Sequence, residues 1–206
     1  MGWAIEGAIG SDYKIDASYL SPHVNIASRL EAATKQYGVP LLISEQLHRF
    51  FSPRFQTITR KIDCVTLKGS QEALNLYTLD LCADDLPPSK NKDLMEKEEI
   101  IEMNFMKKNA FLEGLENEEF LTEDVLDHDK SMKMLLKDFN INFHEIFKLA
   151  MEYYLQGNWE KANEKFQMAL KIKENDGPTK AISAFMERLN YKKPDDWKGY
   201  RELTEK

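Results

Sequence analysis

Apolar residues recur at Ile26, Leu30, Ala33 and Tyr37, the three- and four-residue spacing of one helix face, and Gly38 follows as a stop signal. The helix is expected to start near His23, with Ser21-Pro22 ahead of it, because proline fits the first turn of a helix. Upstream, residues 1–10 (MGWAIEGAIG) alternate small and apolar side chains with glycines, which predicts a buried strand closing in a tight turn. Downstream, Leu41 to Ser44 reads as a strand, and Glu45 to Phe51 as a short helix ended by Ser52-Pro53. Phe55 to Arg60 alternates in strand fashion. Cys64 to Lys68 and Leu74 to Asp80 predict a hairpin joined through Gly69-Ser70. Strand, helix, strand, helix and three further strands make residues 1–82 an α+β domain.

Beyond it the pattern changes. Residues 83–92 hold Asp84-Asp85 and Pro87-Pro88-Ser89 with almost nothing to bury, and read as a linker. Residues 93–137 carry apolar positions at Ile100, Ile101, Phe105, Phe111, Leu112, Leu115, Phe120 and Leu121 among many acids, which predicts helices with solvated faces. Residues 138–206 return to dense helical periodicity. The expected domains are therefore 1–82, an acidic helical linker over 83–137, and a helical tail over 138–206.

Charge sharpens this division. The net charge of -7 falls within residues 83–137, which hold fifteen acidic and eight basic residues, while the flanking segments are balanced. A nucleic-acid partner would need a basic face and is not expected. No apolar run approaches the roughly 20 residues that span a bilayer, so no membrane segment is expected and the reading is cytoplasmic. Cys64 and Cys82 are too few for a disulfide framework, and His23, His48, His128 and His144 show no metal-ligand spacing.

The candidate chemistry lies in GSDYKIDASYLSPHVNIASRLE, residues 10–31. Asn25 and Arg29 are four apart on the expected helix and so share a face, with Val24, Ala27, Ser28 and Leu30 as small or apolar surface behind them. An amide can orient a sugar, and a guanidinium can fork onto phosphate oxygens. Gly2 and Gly7, Gly10-Ser11, Lys14, the run Val24 to Glu31 (VNIASRLE), the apolar strand Val39 to Ser44 and Val65-Thr66-Leu67-Lys68-Gly69 occur in an order and spacing that resembles the class III adenylate and guanylate cyclases. Members of that family usually have a glycine about four residues before the asparagine, where this chain has Ser21-Pro22.

The resemblance implies the C-terminal part of a ferredoxin-like catalytic domain that turns a nucleoside triphosphate, ATP or GTP, into a 3′,5′-cyclic monophosphate and pyrophosphate. It implies that Arg29 meets the α-phosphate, Asn25 holds the ribose and Lys68 contacts the terminal phosphates. Ser18 falls at the purine-reading position, where a serine leans slightly towards ATP. Family members use Mg or Mn held by two aspartates of the preceding half-domain. This chain starts with Met1 after that point, so it is expected to hold no metal ligands, to need a second cyclase domain or chain, and to be inactive alone.

In the tail, Ala150, Tyr153, Gly157, Trp159, Ala162, Phe166 and Ala169 are similar in spacing to one tetratricopeptide repeat. One repeat cannot bury its own face, so Phe139 to Phe147, Ala181 to Leu189 or a protein partner must cover it. Asp176-Gly177-Pro178 and Pro194 to Gly199 resemble a pattern that follows the catalytic domain in some cyclases. The alternative expectation is a non-catalytic scaffold subunit of a larger assembly, with a cilium as one conceivable setting.

Overall fold

Ser21 and Pro22 open the helix that carries the candidate residues. In the computed structural model, which describes residues 2–11, 13–67, 72–82, 96–117, 119, 124, 126, 129–137 and 139–203 (side chains of 96–100, 103 and 104 apart), α1 runs Pro22–Tyr37. The Ser21 hydroxyl caps it by accepting from the His23 amide, and Gly38 ends it in the left-handed conformation at φ 61°, which an L side chain adopts only with strain. Leu30, Ala33 and Tyr37 form its buried stripe.

Before α1 lies an antiparallel hairpin of β1 (Ile5–Ser11) and β2 (Lys14–Leu20), in register from Ile5 opposite Leu20 to Ser11 opposite Lys14. The expectation of a buried strand here is corrected, because every residue of β1 is exposed. The two strands form a sheet of their own, and a two-stranded ribbon has no third layer to bury its faces. Ile5, Ile9, Ile15, Tyr19 and Leu20 all remain exposed.

A four-stranded sheet follows, ordered β3, β5, β4, β6. Its strands are β3 (Ile43–Ser44), β4 (Thr59–Leu67), β5 (Ala73–Leu79) and β6 (Arg201–Leu203). The β4–β5 hairpin agrees with expectation, although its connection at 68–71 lies outside the described residues. Two local expectations do not hold. The helix expected from Glu45 to Phe51 is only α2 (Glu45–His48), and residues expected to begin a strand at Phe55 form α3 (Pro53–Ile58). Capping explains the second change, since the Ser52 hydroxyl accepts from the Phe55 amide and Pro53 sits in the first turn. β6 was not expected at all. It runs parallel to β4, placing Arg201 beside Val65 and Leu203 beside Leu67.

Residues 1–80 and 140–206 form one compact unit. Its helical part comprises α6 (Ile141–Leu155), α7 (Trp159–Ile172) and α8 (Gly177–Arg188). Asn140, Asn158 and Asp176 cap the three helices through their side chains. One hydrophobic core joins Leu30 and Tyr37 of α1, Ile62 and Val65 of β4, Phe147 and Tyr154 of α6, Trp159 and Phe166 of α7, and Ile182 and Met186 of α8. The face of the α6–α7 pair is thus covered from within the chain by α8 and β4, with Trp197 donating its indole N–H to the Leu155 carbonyl at 3.1 Å.

Residues 81–139 form a second unit. It contains α4 (Glu96–Glu116) and α5 (Lys130–Leu135), the latter capped by Asp129. The Cys82 amide donates to the Leu135 carbonyl at 2.8 Å. On α4, Ile101, Phe105, Met106, Phe111 and Leu112 are exposed. Among the described residues, no helix is long and apolar enough to cross a membrane.

Candidate functional site

Leu30, Ala33 and Tyr37 turn into the core, and Asn25 and Arg29 lie two turns and one turn before Ala33 on the same row, at the edge of that buried face. Asn25, in the first turn, is exposed, and Arg29, one turn on, is half-buried. Four residues of helix separate them by about 6 Å along the axis, close enough for one ligand to meet both. Of the packing surface expected behind the pair, Leu30 is buried and Val24 half-buried, while Ala27 and Ser28 are exposed; Ala33 and Tyr37 complete the buried stripe. The first turn of α1 contains no acidic residue to offset the positive end of the helix dipole.

Ser18 lies on β2 opposite Gly7, and it alone in its strand is partly buried. β2 leads through Ser21 directly into α1. Ser21 also ties the hairpin to the helix, since its hydroxyl donates to the Trp3 carbonyl at 2.6 Å and the Trp3 ring meets His23 edge-on. Ser18, Asn25 and Arg29 thus belong to one continuous strand-to-helix segment. Lys68 lies outside the described residues. Among the described residues, no group of three or more histidine, cysteine, aspartate or glutamate side chains could hold a metal ion.

Two buried polar networks lie in the same compact unit, one of them reaching Tyr37 at the end of α1. In the first, Arg60 of β4 donates Nε to Asp80 Oδ2 at 2.5 Å and Nη2 to Asp80 Oδ1 at 2.9 Å. Its Nη1 donates to Asp176 Oδ2 at 3.2 Å, with Nη2 on Asp176 Oδ1. His144 Nε2 and Lys173 Nζ reach Asp80 at 3.0 and 3.1 Å, and Phe147 and Phe143 stack their faces on the guanidinium. Burial pushes the Asp80 carboxyl up, but hydrogen bonds from His144 and Arg60 and the charges of Arg60 and Lys173 outweigh it and hold the group far below the usual carboxylate range.

In the second network, the Tyr37 hydroxyl donates to Asp63 Oδ2 at 2.7 Å, and Arg201 donates Nε to the same oxygen at 2.8 Å. Arg201 also donates Nη2 to the Tyr37 oxygen at 3.2 Å. Asp63 and Tyr37 are both 0% exposed. Burial, then the Asp63 charge, raises the Tyr37 hydroxyl well above its ordinary pKa, so it stays a donor. Burial alone would lower Arg201, yet Asp63 and the two buried tyrosines carry it above the ordinary arginine value. The only advance sign of these networks was Asp176-Gly177-Pro178, whose aspartate serves both as the cap of α8 and as a partner of Arg60.

No family model matches the chain, and no solved structure matches it. Two characterised proteins do. Over 77 residues the chain is 39% identical to an adenylate cyclase of Anabaena cylindrica, covering 37% of this chain and 15% of that protein. Over 77 residues it is 32% identical to the terminal-differentiation specific adenylate cyclase of Dictyostelium discoideum, covering 37% of this chain and 4% of that protein. The matched stretch is a small fraction of either relative's length. The likeness supports a cyclase relationship for that part of the chain, within a mixed α+β architecture.

Proposed function

We propose that residues 1–82 are the ribose- and phosphate-binding part of a class III nucleotide cyclase domain, working with a second cyclase domain or chain. The observation that carries this reading is the pair Asn25 and Arg29, one turn apart on α1 at the edge of its buried stripe, in a chain with a 77-residue likeness to two adenylate cyclases. In the reaction, the ribose 3′-oxygen attacks the α-phosphorus of ATP or GTP, the bond from that phosphorus to the bridging oxygen breaks, and pyrophosphate leaves. The 3′-hydroxyl proton passes to solvent. Arg29 is assigned to the α-phosphate, where a forked guanidinium matches the charge that develops. Asn25 orients the ribose, Lys68 meets the terminal phosphates, and Ser18 reads the purine with a slight preference for ATP.

For the Mg or Mn that such chemistry uses, a second cyclase domain or chain is proposed to supply the ligands, and the chain by itself is proposed to be inactive. The α6–α7 pair is proposed to be tetratricopeptide-like.

A second reading, a non-catalytic scaffold, is favoured by one observation, the row of exposed apolar side chains on α4. The two are separated by one assay. The chain is mixed with ATP or GTP and manganese, alone and with a polypeptide carrying a class III N-terminal half-domain. Cyclic nucleotide formed only in the mixture, and lost in Arg29→Ala, supports the cyclase reading. Failure of every such mixture, with tight binding of a protein partner to residues 93–206, supports the scaffold.

A further inference from the structure

Both buried networks meet at the same end of α1. Tyr37 is the last residue of that helix, and its hydroxyl is shared with Asp63 of β4 and Arg201 of β6. The Arg201 guanidinium also lies over the Tyr37 ring at 5.7 Å and the Phe185 ring at 4.9 Å. Beside it, the first residue of α8 abuts the same helix end. A Cβ built on Gly177 would stand 2.0 Å from the Tyr37 carbonyl oxygen and 3.1 Å from the Gly38 Cα. Asp176, one residue earlier, is fastened to Arg60 on the strand that also carries Asp63. The end of α1 is thus enclosed by β4 and by two separate pieces of the tail.

We infer that the C-terminal tail is a clamp on α1, and that Arg201 is a positioning residue that fixes the angle at which this helix projects Asn25 and Arg29. The contacts stand by themselves, while their consequence for nucleotide rests on the cyclase reading above. α1 is a stiff rod of 16 residues whose buried stripe, Leu30, Ala33 and Tyr37, lies in its C-terminal half. Asn25 is twelve residues from Tyr37, about 18 Å along the axis. A pivot of about 5° at Tyr37 would therefore move Asn25 by about 1.5 Å, and a misplacement of about 1 Å can cost about 100-fold in rate.

The full chain carrying Arg201→Gln, Arg201→Lys or Tyr37→Phe is compared with the parent by amide hydrogen exchange. In Arg201→Gln, amides over 32–38 are expected to exchange about tenfold faster or more, while those of 159–172 keep their parent rates. Arg201→Lys, which keeps the charge but not the fork, and Tyr37→Phe, which removes one hydroxyl, should fall between. If Arg201→Gln does not melt cooperatively, Tyr37→Phe carries the comparison with the same regional pattern expected. Unchanged exchange over 32–38, or an equal rise over both regions, overturns the clamp. Faster exchange confined to α1 supports it whether or not any mixture forms cyclic nucleotide, so the two readings fail separately. In an active mixture Arg201→Gln should lower kcat about tenfold or more with KM changed by less than about twofold, and Arg201→Lys should recover part of the loss. Parent-level kcat in Arg201→Gln overturns the positioning role.

Discussion

Arg60 on β4 donates to the carboxylate of Asp176, the residue that caps α8, across 116 positions of sequence, and both side chains are almost completely buried. Asp176→Ala removes a buried charge partner and the acceptor for the Thr179 amide and hydroxyl together. It is expected to destabilise the chain by about 3–5 kcal/mol. Urea unfolding at neutral pH measures the change.

Asp80 gives stability a defined pH dependence. Its pKa in the folded chain is depressed, so below the usual carboxylate value of about 4 the unfolded chain takes up a proton that the folded chain does not. Stability from this group is therefore complete above that value and is lost as pH falls below it. Unfolding free energy measured from pH 7 down to pH 3 should decline, and in Asp80→Asn the decline should be shallower, with lower stability at pH 7.

Gly177 has a steric role that an added methyl group tests. Gly177→Ala puts a Cβ against the Tyr37 carbonyl, a backbone atom that cannot swing aside, and is expected to cost about 1–3 kcal/mol. Gly7→Ala, with nothing within 4 Å of the new carbon, should change stability by less than about 0.5 kcal/mol. Thermal melts of the pair compare the two sites directly.

Asn25 and Arg29 separate binding from folding. Asn25 is exposed, so Asn25→Ala should leave the unfolding free energy within about 0.5 kcal/mol of the parent. In an active cyclase mixture Arg29→Ala should reduce kcat by about 100-fold or more. Turnover near the parent level in Arg29→Ala would remove the guanidinium from the α-phosphate.

The legible parts of this molecule are those governed by short-range rules. α1 could be read from its apolar spacing, from Pro22 at its start and from Gly38 at its end, and the β4–β5 hairpin from its alternation. Phe55 to Ile58 misled because Phe55 and Thr57 alternate as a strand would, yet Ser52 and Pro53 cap those residues as a helix, and the local hydrogen bond prevails over a two-step pattern. β1 misled in the other direction. Its composition suits a buried strand, and burial depends on what lies across from it, which no local pattern records.

What the sequence by itself determined was the helix that bears Asn25 and Arg29, the pairing of β4 with β5, and the helical run from α6 to α8. Only the tertiary structure decided that the tail closes over the end of α1, that Arg60 is an interior residue, that Arg201 is bonded to the buried Asp63, and that residues 201–203 complete a sheet begun at residue 43. The reason is physical. A charged side chain reads as solvated until its partners arrive, and the partners of Arg60 and Arg201 stand 20 to 164 residues away along the chain.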